Sequence, residues 1–337
     1  MLRYATRRLL HALLVLWATF TATFFLLYVL PGDAALSKAG VGSDGAALNA
    51  ADLDRVRAEL GLDQPALIQY LKALGNALRG DFGTSIQTGS PATRMYAEAV
   101  PETLKLAGSA LLVGLAVGIA WALLATYTRR NLLRQALLAL PAAGVSLPTF
   151  WIGLILLQFF SFRWQLLPAI GNEGVQSLIL PALVLAIPTA SMSAQILSRS
   201  LELTMRAPYI ETARARGASR GRVLLGHATR NSIIPVVTAL GMTAGHLIGG
   251  SVVMESVFSR AGVGAITVRA VNFQDTPVVL VAVVFAALVF VTVNLLVDLL
   301  YPLIDPRIRL RRAPLERPVG ARRPAAQRPV AAPEATA

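Results

Sequence analysis

The sequence predicts an all-α, polytopic membrane protein with six transmembrane helices, and three observations carry that reading. First, hydrophobic residues make up 55% of the 337-residue chain and charged residues only 15%, with a mean hydropathy of +0.60. A soluble chain carries roughly 25% charged residues, so the deficit marks surface that meets lipid rather than water. Second, six runs reach or approach the ~20 apolar residues that cross a hydrocarbon core: 9–30, 105–127, 136–160, 178–198, 232–254 and 278–301. Third, arginines crowd every second connection and are sparse in the others, the charge asymmetry of a spanning chain.

The elements follow in order. Arg3, Arg7 and Arg8 precede the first run, as they would a secretory signal. "LLHALLVLWATFTATFFLLYVL" is longer than a signal's apolar region and lacks a clean small-residue cleavage site, so residues 1–30 are read as a cytoplasmic start and a retained first helix. Dense basic clusters then recur at Arg129, Arg130 and Arg134, at Arg199 and Arg206 through Arg230, and at Arg307, Arg309, Arg311 and Arg312. All fall on one side of the six runs, which places both termini in the cytoplasm. The alternate connections hold Arg163 with Glu173, and Arg260 and Arg269 with Glu255 and Asp275, which read as outer-loop charges.

Residues 31–100 then form an extracytoplasmic segment. In it "ALIQYLKALGNAL" sets Leu67, Ile68, Leu71, Leu74 and Leu78 on one helical face, with Pro65 suited to a first turn. Short amphipathic helices over the outer mouth are expected. Residues 101–310 form a five-helix transmembrane core with a cytoplasmic loop at 199–231. Residues 311–337, rich in Pro, Ala and Arg without periodicity, read as a disordered basic cytoplasmic tail. The formal charge of +13 lies in clusters between apolar runs, so its partner is membrane lipid and not nucleic acid.

Catalytic chemistry finds little support. The lysines are Lys38, Lys72 and Lys105, none following a glycine, so there is no phosphate-binding Gly-Lys loop. There is no cysteine, no His-Glu-x-x-His, and His11, His227 and His246 are scattered. No cofactor, metal site or catalytic residue is expected. A stand-alone secondary transporter is the alternative function. It usually carries a charged residue near mid-membrane and two similar halves, neither of which is seen here. Dependence on ATP and partner chains would separate the two.

Within the fifth run, "GMTAGHLIGG" spaces Gly241, Gly245 and Gly249 by four residues, a small-residue stripe suited to helix packing. His246 projects ~100° round the helix from Gly245. It fits either a water-filled path or a bond to a neighbouring backbone, and with Met242 it is the candidate for the translocation path. Pro141, Pro148, Pro181, Pro188 and Pro235 predict kinked helices.

The most distinctive stretch is "YIETARARGASRGRVLLGHATRNSIIP", residues 209–235. Pro208 suits a first helical turn, Gly217 a C′ position, and Ser219 the N-cap of a second helix running toward Arg230. Two short helices with an elbow result, too polar to enter the bilayer. The stretch resembles the Glu-Ala-Ala loop of inner-membrane permease subunits from binding-protein-dependent ABC importers. Glu211, Thr212 and Ala213 are followed four residues later by Gly217, with Thr212 in place of the first alanine. "HATRN" replaces the usual Ile-x-Leu-Pro and a proline comes later, at Pro235, as in the dipeptide, oligopeptide and nickel branch. Further stretches resemble that branch along nearly the whole chain: "MLRYATRRLL", "LGLDQPALIQYL", "GDFGTSIQTGSP", "VPETLKLA", "GVSLPTFWIGL", "ESVFSRAGVG" and "NLLVDLLYPLIDPRIR".

The resemblance implies a type I ABC importer permease fold in the bacterial inner membrane, carrying peptides or nickel and its chelates. It implies a second homologous permease subunit, two cytoplasmic ATPase subunits and an extracytoplasmic solute-binding protein. It also implies that Tyr209, Glu211, Thr212, Ala213, Gly217, Ala218 and Ser219 couple the pore to the ATPase, with Glu211 and Ala213 as the docking face.

Overall fold

The computed structural model describes residues 2–28 and 64–304. The expected tail at 311–337, and residues 31–63 of the expected outer segment, lie outside the described residues. The helices, in chain order, are α1 (Leu2–Tyr28), α2 (Ala66–Ala77), α3 (Ala92–Tyr127), α4 (Asn131–Ser146), α5 (Thr149–Leu156), α6 (Gln176–Thr204) and α7 (Pro208–Ala215). A composite helix α8 follows over 220–232, with a π-helical middle at Val223–Ala228, and then α9 (Ile234–Val257), α10 (Val263–Asn272) and α11 (Thr276–Ile304). Apart from an isolated antiparallel bridge between Thr84 and Pro91, regular structure among the described residues is helical.

Four helices, α1, α3, α6 and α11, are long and apolar enough to cross a membrane. Two bent pairs bring the number to six if each is counted as one span. One is α9, bent by 46° between Ile234–Leu240 and Thr243–Val257. The other corrects the expectation of a kinked but single helix over 136–160. There the chain breaks, and the segments Asn131–Ser146 and Thr149–Arg163 meet at 96°. The cause is local. Pro148 has no N–H to donate, and its ring forces Leu147 before it into an extended conformation (ψ 133°). Pro141, Pro181 and Pro188, by contrast, sit inside continuous helices.

The centre of the molecule is the α3–α6 pair. Along α3 the buried positions Leu106, Ala110, Gly114, Gly118 and Ala122 recur every four residues, a ridge of mostly small side chains. A Cβ on Gly114 would overlap Thr189, and one on Gly118 would overlap the backbone of Ala190. The two backbones therefore approach more closely than any larger residue permits. The expected stripe on α9 behaves differently within this chain. A Cβ on Gly245 would meet Phe290 of α11 at an ordinary 3.6 Å, and one on Gly249 would face open space. Within this chain, tight helix contacts among the described residues include those at Gly114 and Gly118 of α3 and at Gly144 of α4, whose Cβ would overlap Ser191 of α6.

Beside α1, the helix α2 is amphipathic but turned. Tyr70 docks among Phe20, Phe24 and Phe25 of α1 and hydrogen-bonds Thr21 at 2.8 Å, with Ala73, Leu74 and Ala77 packing beside it. Leu67, Ile68, Leu71 and Leu78 are left exposed. The aromatic ring with a polar tip outcompetes the leucine face because its hydroxyl finds a partner at the same contact.

Candidate functional site

The elbow is built from the inside outward. Pro208 occupies the first turn of α7, where its missing N–H costs nothing, and Ala207 precedes it in an extended conformation. Ile210 is fully buried against Ala122 of α3, Leu197 and Leu201 of α6, and Val223 and Leu224 of α8. Sequence reasoning passed over Ile210, although a lone large aliphatic residue in a polar helix was the available signal.

Gly217 takes φ +82°, the left-handed conformation expected of a C′ residue. Its N–H bonds Arg214 O at 2.9 Å, and the N–H of Ala218 reaches back to Ala213 O at 3.1 Å. These are the paired closing bonds of a Schellman turn. Ser219 then stands extended at the N-cap of α8, but its side chain makes no capping bond. Ala213 and Ala218 pack inward against the same apolar cluster as Ile210. Glu211, Thr212, Arg214, Arg216 and Ser219 are exposed.

Three ties connect the elbow to the spans. Arg220 donates to Thr126 O at 3.0 Å and lies 5.5 Å over the Tyr127 ring, both at the end of α3. A cation there also faces the negative end of the helix dipole. Tyr209 accepts a bond from Asn231 Nδ2 at 3.0 Å, and Ser232 bonds Thr204 at 2.9 Å, joining α7, α8 and the end of α6.

On α9, His246 is exposed, Gly245 is half-buried, and Gly241 and Met242 fall at the bend between the two arms. The translocation-path and packing candidates of α9 thus lie well away from the elbow along the chain. No described contact brings the two groups together.

The opposite end holds a polar knot that sequence reasoning did not foresee. Glu255, Arg260 and Asp275, grouped in the sequence with the charges of the alternate connections, are buried: they are 1%, 3% and 3% exposed. Glu255, near the end of α9, accepts bonds from Thr103 at 2.6 Å, Gly264 N at 2.7 Å and Ala265 N at 3.2 Å. It thereby satisfies the orphan N–H groups at the start of α10, where the helix dipole favours an anion. A Cβ at Gly262 or Gly264 would collide with that carboxylate, which explains both glycines.

Arg260 donates to Gly171 O and Ser177 O at 3.1 Å each and to Glu102 at 3.0 Å, so α3, α6 and the loop before α6 share one guanidinium. Asp275 accepts from Ser85 Oγ at 2.5 Å and Ile86 N at 3.0 Å, fastening the 80–91 turn to the start of α11. Two stretches quoted for the resemblance, around residues 100–107 and 255–264, are therefore joined by these bonds, while a third, around 80–91, is tied to Asp275. Neighbouring charges and glycines in "ESVFSRAGVG" were the signal, visible in sequence but not interpretable without knowing who faces whom.

Comparison with known proteins agrees with this architecture. Residues 114–310 match the family described as binding-protein-dependent transport system inner membrane component, and residues 1–107 match its N-terminal counterpart. The glutathione transport system permease protein of Salmonella paratyphi A is 37% identical over 315 residues, covering 92% of this chain and all of that protein. Its namesake from Escherichia coli is 35% identical over 311 residues, again 92% of this chain and all of the relative. Among solved structures, an inward-facing MetNI methionine ABC transporter aligns with a TM-score of 0.54 at 19% identity, over 63% of this chain and 96% of the other. At that identity the likeness speaks for the fold.

Proposed function

This chain belongs to the family of inner membrane components of binding-protein-dependent transport systems, and from that premise we propose how it works as the permease subunit of an ABC importer. It forms one half of a heterodimeric pore with a second, homologous subunit. Two cytoplasmic ATPase subunits drive that pore, and an extracytoplasmic binding protein delivers cargo to the end that carries the polar knot. Both termini and the elbow face the cytoplasm, a reading supported by the one-sided arginines at positions 129–134 and 199–230.

The observation that carries the mechanism is the construction of α7. It is a two-turn helix with one fully buried anchor, an exposed polar face, and a left-handed glycine holding its far end. Such a helix can sit in a groove of a soluble ATPase and pass that domain's rigid-body closure to the spans it touches, here α3 and α6 through Ile210 and Arg220. Glu211 offers the polar contact on the docking face. Because Ala213 is turned partly inward, Thr212 and Arg216 share that face. His246 and Met242 line the translocation path in this reading.

The cargo is a short peptide of the glutathione kind, supported by the names of the relatives that match the whole chain length. Reconstituted importer carrying Gly217→Val tests the mechanism, with membrane abundance, ATPase association and peptide uptake measured together. The variant is expected to reach the membrane and fail to couple hydrolysis to uptake. Normal uptake would remove the elbow from the coupling role.

A further inference from the structure

Beside the elbow, between the inner ends of α3, α4 and α6 and the start of α8, lies an open cavity of about 610 Å³. Its rim carries Arg134, Arg199, Arg206 and Arg220 against one carboxylate, Glu202. That carboxylate is already engaged by Arg206 at 3.0 Å and approached by Arg134 at 3.8 Å. Arg220 is spent on Thr126 O, and Arg199 has no hydrogen bond or ion pair to any described residue. The protein thus concentrates more cationic charge here than its own anions neutralise, a local field that favours an external anion.

The cavity is also amphipathic. Ala194 sits two turns up α6 from Glu202, roughly 12 Å deeper, and with Leu138 and Pro141 of α4 it makes an apolar inner wall. Leu138 is itself an exposed side chain on α4. A free phosphate would satisfy the arginines and leave this wall bare. A phospholipid would cover both, with its phosphate on the rim and an acyl chain along the wall.

We propose that this cavity is a binding site for an anionic phospholipid of the inner leaflet, held through its headgroup phosphate by Arg134, Arg199 and Arg206. The proposal rests on the cytoplasmic placement of the elbow argued above. A lipid seated there would brace the ends of α3 and α6 on either side of Arg220, the same residue that begins α8. Lipid occupancy would then stiffen the frame through which the elbow acts.

The test uses the intact importer, purified with its partner subunits and exchanged into nanodiscs of equal parts phosphatidylglycerol and phosphatidylcholine. Retained lipid is counted by native mass spectrometry after detergent washing. Wild type should retain phosphatidylglycerol selectively. Arg199→Gln, which breaks no contact of the protein, should weaken retention about fivefold, and Arg134→Gln/Arg199→Gln about thirtyfold. Arg222→Gln, an equal charge change outside the cavity, should leave it unchanged. Equal loss with Arg222→Gln, equal retention of phosphatidylcholine, displacement by inorganic phosphate, or no retained lipid would each overturn the site. Uptake measured on the same preparations keeps the two readings apart. Transport without bound lipid removes only the lipid site, and bound lipid without ATP-driven transport removes only the importer mechanism.

Discussion

The two ends of this protein are held by opposite physics. One end is a buried polar knot, in which Glu255 bonds the start of α10, Arg260 bonds carbonyls of α6 and of the loop before it, and Asp275 bonds the turn at 85–87. The other end is an exposed, basic elbow anchored mainly by the apolar side chain of Ile210, with a few side-chain bonds at Arg220, Tyr209 and Ser232. Directional bonds among buried charges tolerate little displacement, because a stranded charge in low dielectric is expensive. An aliphatic anchor has no directional requirement and keeps most of its burial through a small rotation. The difference separates an end cross-bonded by buried charges from one held mainly by apolar contact.

The largest effect in this comparison is expected at the knot. Arg260→Ala would leave Glu102 and the carbonyls of Gly171 and Ser177 without their shared donor, a loss of about 3–5 kcal/mol for a broken buried pair. It should appear as loss of assembled protein from the membrane and a lowered unfolding midpoint in detergent. A stable, fully assembled Arg260→Ala protein would show that the outer frame does not depend on the knot.

Next comes Ile210→Ala, which removes the fully buried anchor and should cost about 2–4 kcal/mol. Because the elbow is peripheral, the damage should be local. Faster hydrogen exchange across 208–218 with unchanged exchange in α3 and α6 is the signature, and global unfolding would contradict the picture of a separately anchored element.

Gly217→Val should cost less stability, about 1–3 kcal/mol for a β-branched residue at φ +82°, since a Cβ there meets open space. Yet it should lose more transport than Ile210→Ala does per unit of destabilisation. That inversion is the sharpest contrast between frame and elbow, read by plotting uptake against unfolding midpoint for both variants.

The smallest stability effect is expected for His246→Ala, an exposed position on α9, within about 0.5 kcal/mol of wild type. Uptake kinetics should change if His246 lines the path. Unchanged uptake for every peptide tried would make it a surface residue of the span.

What the sequence determined alone was everything governed by local composition and period. Apolar runs of sufficient length had to become helices, since only internally bonded backbone survives in lipid. Gly217 after a short polar helix had to adopt the left-handed turn, because the preference lies in the residue itself. Where two local rules competed, only the tertiary structure decided. Pro148 breaks its segment by 96° while Pro181 and Pro188 leave α6 continuous. Tyr70 turns α2 away from its leucine face because Thr21 and three aromatic rings await it on α1. The burial of Glu255, Arg260 and Asp275 was not legible because their partners at Thr103, Ser177 and Ser85 lie 152, 83 and 190 residues away. Hydropathy reports how a residue meets solvent on average. Whether a particular charge is buried depends on donors and acceptors arriving from distant segments, and that pairing is settled only when the helices pack.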